Sequence, residues 1–312
     1  MANRSPVKNT QPTVAIIGIG RVGQTLANAL QSSEYPIVAL VFHNPASVRK
    51  ARKLFGTNFA NALLLSSDQI HHLPPSDIIL ITTSDDAIEE TAENLAVLHK
   101  GGRRRAVLHT SGALSSEVLA PLAAVGFSTA SIHPLAAIDP AEGDETLRGA
   151  YFCIEGQRAA VSFAKAIAVD LGGTPIIIKS QQKALYHAAA VMASPHLVAL
   201  FDLAVKLMVT SGVKWADARK MLLPLVESTV KNLNARPPAG ALTGTFARGD
   251  IGTVERHLKV LSGTKLKLPP DAREIYRLLG LRSLQLAKKN GLDPKKISEI
   301  TKLLKAEPQA KQ

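Results

Sequence analysis

The 312-residue chain has one cysteine, Cys153. That excludes a disulfide framework within one chain and any multi-cysteine metal site. Cys153 falls in the strand-like Ala150-Tyr-Phe-Cys-Ile-Glu155, where a buried, inert thiol is the plain reading. A chain without disulfides suits a reducing cytoplasm. Aromatic residues make up only 4% of the chain and do not interleave with its basic clusters at Arg103-Arg-Arg105, Lys265 to Lys267 and from Lys288 onward. Stacking platforms for single-stranded nucleic acid are therefore poorly supplied. No long uninterrupted apolar run stands out, so no membrane span is expected. The polar stretch Met1 to Pro12 has no signal-like apolar region and reads as a frayed tail, as does Ala306 to Gln312. No HxxE or HExxH spacing occurs, so no catalytic metal is expected.

What the chain does have is a net charge of +12, with 46% hydrophobic residues. Excess basic charge attracts nucleic acid, membrane surfaces or small anions. Without interleaved aromatics it reads as a solvated basic surface, with no nucleic-acid or membrane partner expected. The length suggests about two domains.

The most informative stretch is Thr13-Val-Ala-Ile-Ile-Gly18-Ile-Gly20-Arg-Val-Gly23. A strand-type apolar run meets Gly-x-Gly-x-x-Gly and then a helical pattern, the order a dinucleotide site requires. Gly18 permits the turn, Gly20 lets backbone approach a pyrophosphate, and Gly23 lets helix pack on strand. With Ile19, Arg21 and Val22 they place the free N–H groups and positive dipole end of the first helix against the phosphates.

The second strand, Ile37 to Phe42, ends in His43-Asn44, where NAD sites usually carry Asp or Glu for the ribose 2′-hydroxyl. No acid is present. Asn44, with Arg49 nearby, would accept a 2′-phosphate, which favours NADP over NAD. His43 is either an adenine contact or an ordinary strand end. A helix is expected from Ser47 to Phe55 with Ser47 as N-cap. Leu63 to Leu65 and Asp77 to Thr82 are further strands. Thr82 and Thr83 either border the cofactor or belong to the cap of the next helix. Ala106 to His109 and Phe127 to His133 follow, with Thr110-Ser111-Gly112-Ala113 at the same rim. His109 is placed with the cofactor. Ser111 and His133 are placed with the chemistry, in a cleft past the strand ends.

Tyr151 to Glu155 and Thr174 to Lys179 complete the strands. Beyond them only helices are expected: 181–211, which Pro195 would kink, then 215–233, 250–261, 271–290 and 294–305. The boundary is placed at residue 180. The fold class is thus an α/β Rossmann domain with a mostly parallel, doubly wound sheet over 1–180, then an all-α domain over 181–312. Lys183 and His187 lie four apart on one helix face. They are candidates for acid/base work or oxyanion stabilisation, against the alternatives of a solvated lysine and a core histidine. In the glycine-rich loop from Pro237 to Asp250, Thr243, Arg248 and Asp250 are candidates for substrate contact, or else an internal Arg248–Asp250 pair and a helix cap.

The chain resembles bacterial proteins that join a Rossmann-like domain to a domain of unknown function, DUF2520. The resemblance rests on Val14 to Gly23, His109-Thr-Ser-Gly-Ala113, Ser131-Ile-His-Pro-Leu135, Tyr186-His-Ala-Ala-Ala-Val191 and Ala241 to Asp250. More distantly it is similar to pyrroline-5-carboxylate reductases, prephenate dehydrogenases and β-hydroxyacid dehydrogenases. The resemblance implies an NADP-dependent oxidoreductase acting on a small carbonyl, imine or hydroxy compound, an anionic one included, and a homodimer formed through the helical domain. Where β-hydroxyacid dehydrogenases carry Lys-x-x-x-Asn, this chain reads Lys183-Ala-Leu-Tyr-His187. A non-catalytic NAD(P)-binding sensor or scaffold is the alternative that this change raises.

Overall fold

The computed structural model describes residues 11–54, 59–98, 105–263 and 266–307. Most of the N-terminal tail, Phe55, Arg103, Arg104, Lys265 and most of the C-terminal tail lie outside the described residues. The chain divides into two compact units, residues 1–194 and 195–312. The helix beginning at Lys183 thus groups with the first unit rather than with the helices after it.

In the first unit the chain runs β1 (Val14–Ile17), α1 (Arg21–Ser32), β2 (Ile37–Phe42), α2 (Pro45–Leu54), β3 (Leu63–Ser66), β4 (Ile78–Ile81) and α3 (Asp85–Leu98). It continues through β5 (Ala106–His109), α4 (Ala120–Ala124), β6 (Ser128–Leu135), β7 (Tyr151–Gly156), α5 (Arg158–Asp170), β8 (Thr174–Ile177) and α6 (Lys183–Ala193). The eight strands form one sheet in the order β3-β2-β1-β4-β5-β6-β7-β8. All neighbours are parallel except β6 and β7. The first six strands have the doubly wound dinucleotide-binding order, which reverses between β1 and β4.

Strands covered on both faces must be apolar throughout. β1, β4 and β5 are buried at every position. Alternate residues supply the two faces. Val14, Ile16, Leu40, Ile78 and Leu80 pack with Leu26, Leu30 and Ile167 of α1 and α5. Ala15, Ile17, Val41, Ile79 and Ile81 pack with Ile88 and Leu95 of α3.

Two helix expectations need correction. The α2 helix starts at Pro45, and its cap is Asn44, whose Oδ1 accepts from the Ser47 N–H at 2.9 Å. Ser47 lies inside the helix because the Asn carbonyl reaches the free N–H one turn in, and Pro tolerates the first helical position. The helix expected over 181–211 is two, α6 and α7 (Pro195–Thr210), broken at Ser194, where proline cannot donate. One correction concerns hydropathy. An 18-residue window within Ser180–Thr210 has a mean hydropathy of 1.7, and the stretch is long and apolar enough, by length and composition, to cross a membrane. Only 11% of that window is buried.

The second unit is all helix among its described residues: α7, α8 (Trp215–Ala235), α9 (Pro238–Ala241), α10 (Gly244–Arg248), α11 (Ile251–Leu261), α12 (Ala272–Lys289) and α13 (Pro294–Lys305). Its core is Val254, Leu258, Leu284, Ile300 and Leu304. Gly280 lets α12 close on Phe246 and Leu304, which a Cβ there would meet at 2.9 and 3.1 Å. The glycine-rich segment expected as a loop holds two short helices, α9 and α10. Arg248 donates twice to Asp250, at 3.0 and 2.7 Å, so this pair is internally satisfied.

Candidate nucleotide crevice and polar cluster

Two polar sites occupy neighbouring strand ends of the first unit. One is an open crevice of about 540 Å³ at the ends of β1, β2 and β4. Its floor is the glycine turn. Gly18 has φ +98° and sits so close to Thr83 that a Cβ would lie 2.6 Å from the Thr83 nitrogen. The Thr82 hydroxyl donates to the Gly18 carbonyl at 2.7 Å and the Gly20 N–H donates to that same carbonyl at 2.8 Å. Gly23 packs against Gly18 and Thr82, leaving no room for a side chain. Gly20, by contrast, is exposed, and a Cβ there meets nothing within 4 Å. The turn is thus held tightly from behind and is bare in front.

Gly18, Ile19, Gly20, His43, Thr82 and Thr83 line this crevice. Arg21 is exposed, Val22 is half-buried and Gly23 is buried at the start of α1. Thr83 Oγ1 is buried with no partner. Asn44 is committed to its cap and Arg49 is exposed on α2; neither forms part of the crevice wall. At that end the wall holds Ser67 and Ser47, the latter expected only as a helix cap and neither assigned to the cofactor from the sequence. Glu90, on α3, is the one carboxylate among the described lining residues. These features fit a dinucleotide: a φ-positive turn, an unobstructed backbone at Gly20, a helix N-terminus and an unsatisfied hydroxyl.

The second site is buried at its centre and half-exposed at His133 and His187. His109 on β5 is paired with Ser131 on β6, and Ser131 with Glu155 on β7. Register neighbours share a face, so these three side chains form one polar row across the sheet. His109 and Ser131 are fully buried, and Glu155 is 2% exposed. Glu155 accepts from the Ser116 N–H (2.7 Å), the Ser116 hydroxyl (2.9 Å), the Ser131 hydroxyl (2.7 Å) and the Ser180 hydroxyl (2.7 Å). Burial pushes its pKa up, but these hydrogen bonds outweigh burial and hold the carboxyl below its ordinary range. Lys183, from α6, donates to the Ser131 hydroxyl at 2.8 Å and to the Ser111 carbonyl at 2.7 Å. It is 1% exposed, so it is no solvated lysine. Burial lowers its pKa and Glu155 opposes that fall.

The remaining candidates gather around Lys183. The Ser111 hydroxyl oxygen accepts from the Ala113 and Leu114 N–H groups, at 3.1 and 2.9 Å. The His109 Nδ1 accepts from the Ser111 N–H at 3.2 Å, which leaves the ring proton on Nε2. His133 bonds the Tyr186 hydroxyl at 2.9 Å and packs edge-to-face on His187, with centroids 5.7 Å apart. A Cβ at Gly112 would collide with both histidines. Desolvation first, and the Lys183 charge second, push His109 and His133 each down to about 4, so both rings are neutral near pH 7. Cys153 is buried and bonded to Tyr186, and burial raises its pKa.

Ser111, His133, Lys183 and His187 therefore stand together, as the sequence placed them. His109 belongs to this cluster and is not on the crevice wall. Glu155 and Ser131 went unrecognised. A lone glutamate in a buried strand was the available signal, and strand alternation cannot expose it when both faces are covered.

Residues 1–134 match the Rossmann-like domain family, and residues 150–283 match DUF2520, a domain of unknown function. The second match begins within the sheet, at the start of β7. No curated protein matches the sequence. The fold is similar to that of a proposed NADP oxidoreductase from Bacteroides fragilis (TM-score 0.68, 21% identity, 88% of this chain and 99% of that one). It is also similar to a Plasmodium falciparum pyrroline carboxylate reductase solved with NADP bound (0.54, 10%, 94% and 98%) and to an imine reductase from Streptomyces aurantiacus (0.57, 19%, 94% and 100%).

Proposed function

From a chain that carries a Rossmann-like domain followed by DUF2520, we propose an NADP-dependent oxidoreductase that moves hydride between the nicotinamide and a small carbonyl, imine or hydroxy compound. The observation that carries this reading is the glycine turn, pinned from behind by Thr82 and Thr83 and bare at Gly20. Residues 18–23 would hold the pyrophosphate, with Arg21 exposed beside them. His43, Ser47 and Ser67 would surround the adenosine 2′-phosphate, and no carboxylate follows β2 to repel it. Bound nicotinamide supplies the hydride. This chain's own part is to orient the acceptor and stabilise or protonate its heteroatom. Ser111, whose oxygen accepts two N–H bonds, keeps its hydroxyl proton free for donation. Lys183 is the cationic donor, with the neutral His133 and the ring of His187 beside it.

Large apolar side chains are left exposed on the helices, including Leu185 (75%) and Met192 on α6, Val198 on α7, and Trp215 and Leu225 on α8. A second copy of the chain covering them is the arrangement we propose, since monomers rarely leave patches of this kind to water. Insertion of 180–210 into a membrane would tear Lys183 from its two partners, so we assign no membrane role to that stretch.

The burial of Lys183 favours one other reading, a nucleotide-binding sensor without turnover. Two measurements separate them. NADPH should quench and shift protein-bound fluorescence with tighter affinity than NADH. A screen of small carbonyl and imine compounds should then show loss of the reduced-nicotinamide absorbance. Absence of binding by either nucleotide ends both readings; binding without turnover across the screen leaves the sensor.

A further inference from the structure

Among the described residues, the side chain with the most hydrogen bonds and no assigned task is the Glu155 carboxylate. Four donors from three serines converge on it: Ser116 before α4, Ser131 on β6 and Ser180 just before α6. A carboxylate with four donors in a sealed interior is ionised, and a buried charge needs a counter-charge. The cation is Lys183, joined to it through a single hydroxyl. Ser131 donates to Glu155 and thereby must turn a lone pair toward the lysine, whose ammonium donates to it. The other fixed ammonium bond goes to the Ser111 carbonyl, in the turn that also packs on His133 and His187.

We propose that Glu155 is the positioning residue for Lys183: through Ser131 it holds the buried ammonium in one place, two N–H bonds committed and the third left for a ligand. This rests on the reading of Lys183 as the site's cationic donor. The groups facing that ammonium are Ser111, Ser131, Glu155, His109, His133 and Cys153, with Asp85 more distant. Of these Glu155 is the anion that four hydrogen bonds keep ionised. Remove it and the neutral form of Lys183 gains, because the largest offset to its desolvation is gone. Remove the Ser131 hydroxyl and the charge remains but the link is lost.

The test uses the full chain with isotope-labelled lysine, following the ε-carbon and ζ-nitrogen resonances of Lys183, assigned by their loss in Lys183→Arg. In Glu155→Gln the Lys183 titration midpoint should fall by about 1–3 pH units, the range an adjacent opposite charge commands. Ser131→Ala should move it in the same direction by less. NADPH affinity should stay within about twofold in both, since neither residue lines the crevice. If Glu155→Gln fails to give a cooperative melt, Ser131→Ala decides alone. A Lys183 midpoint that stays put in every folded variant overturns the proposal. If the unmodified chain binds no nucleotide, the oxidoreductase reading falls, and the lysine titration still settles what Glu155 does.

Discussion

The crevice and the cluster sit on adjacent strands, tied by the Thr110 N–H bonding the Ile81 carbonyl at 3.1 Å, yet they are built on opposite principles. The crevice is open and made of backbone: glycines, two threonine hydroxyls and a helix start. Its shape does the binding, and no ionised group is needed to keep that shape. The cluster is buried at its centre and made of charge. Its carboxylate and ammonium survive burial because both are bonded through Ser131, and the half-satisfied version is worse than none. Perturbation should therefore move stability in the cluster and affinity in the crevice.

The largest effect is expected from Lys183→Met. It strands Glu155 without its counter-charge and should cost about 3–5 kcal/mol, read as a drop in the urea midpoint at unchanged slope. Combining it with Glu155→Gln should cost less than the two singles added, because the second change removes the anion that the first left alone. Additive losses would show the two residues to be uncoupled.

Next in size, taken ring by ring, is the acid response. The unfolded histidine ring takes its proton near ~6.5, whereas the folded His109 and His133 resist until about 4. Between those values the unfolded chain binds more protons, so stability falls as pH falls. It is intact above the unfolded value and lost through the window, by about 3 kcal/mol for each ring. Urea midpoints between about pH 7 and about pH 4.5 should decline accordingly, and His109→Gln should flatten the decline.

These two sites were not equally legible in the chain. Gly18 to Gly23 announced the crevice because a φ-positive turn, a close backbone approach and tight helix packing each demand glycine, and that demand is local. Eight strands and the helical second half were likewise readable, since continuous apolar runs and helical spacing are local too. Lys183 and His187 were found by helix spacing, and Ser111 and His133 by standing at strand ends. The partner that gives Lys183 its setting was not, because the Ser131–Glu155 pairing depends on β7 running antiparallel beside β6, a register fixed by the whole sheet. Asn44 shows a related limit. Its side chain satisfies its own helix, which sequence order alone does not distinguish from reaching toward a ligand.

Within the crevice, two glycines separate stability from affinity. Gly18→Ala forces a methyl against the Thr83 backbone at a φ of +98°, so it should cost about 1–3 kcal/mol and weaken NADPH binding as well. Gly20→Ala should do almost nothing to the fold. Its φ of −91° suits any residue, and the added methyl meets no atom within 4 Å. The methyl would instead occupy the space through which a pyrophosphate reaches the N–H groups of α1. The urea midpoint should match the unmodified chain while NADPH affinity falls by about tenfold or more, the loss expected when hydrogen bonds to a charged phosphate are lengthened. Were Gly20→Ala to bind NADPH as before, the phosphates could not lie against this turn. The bareness of Gly20 would then need some other explanation than a nucleotide.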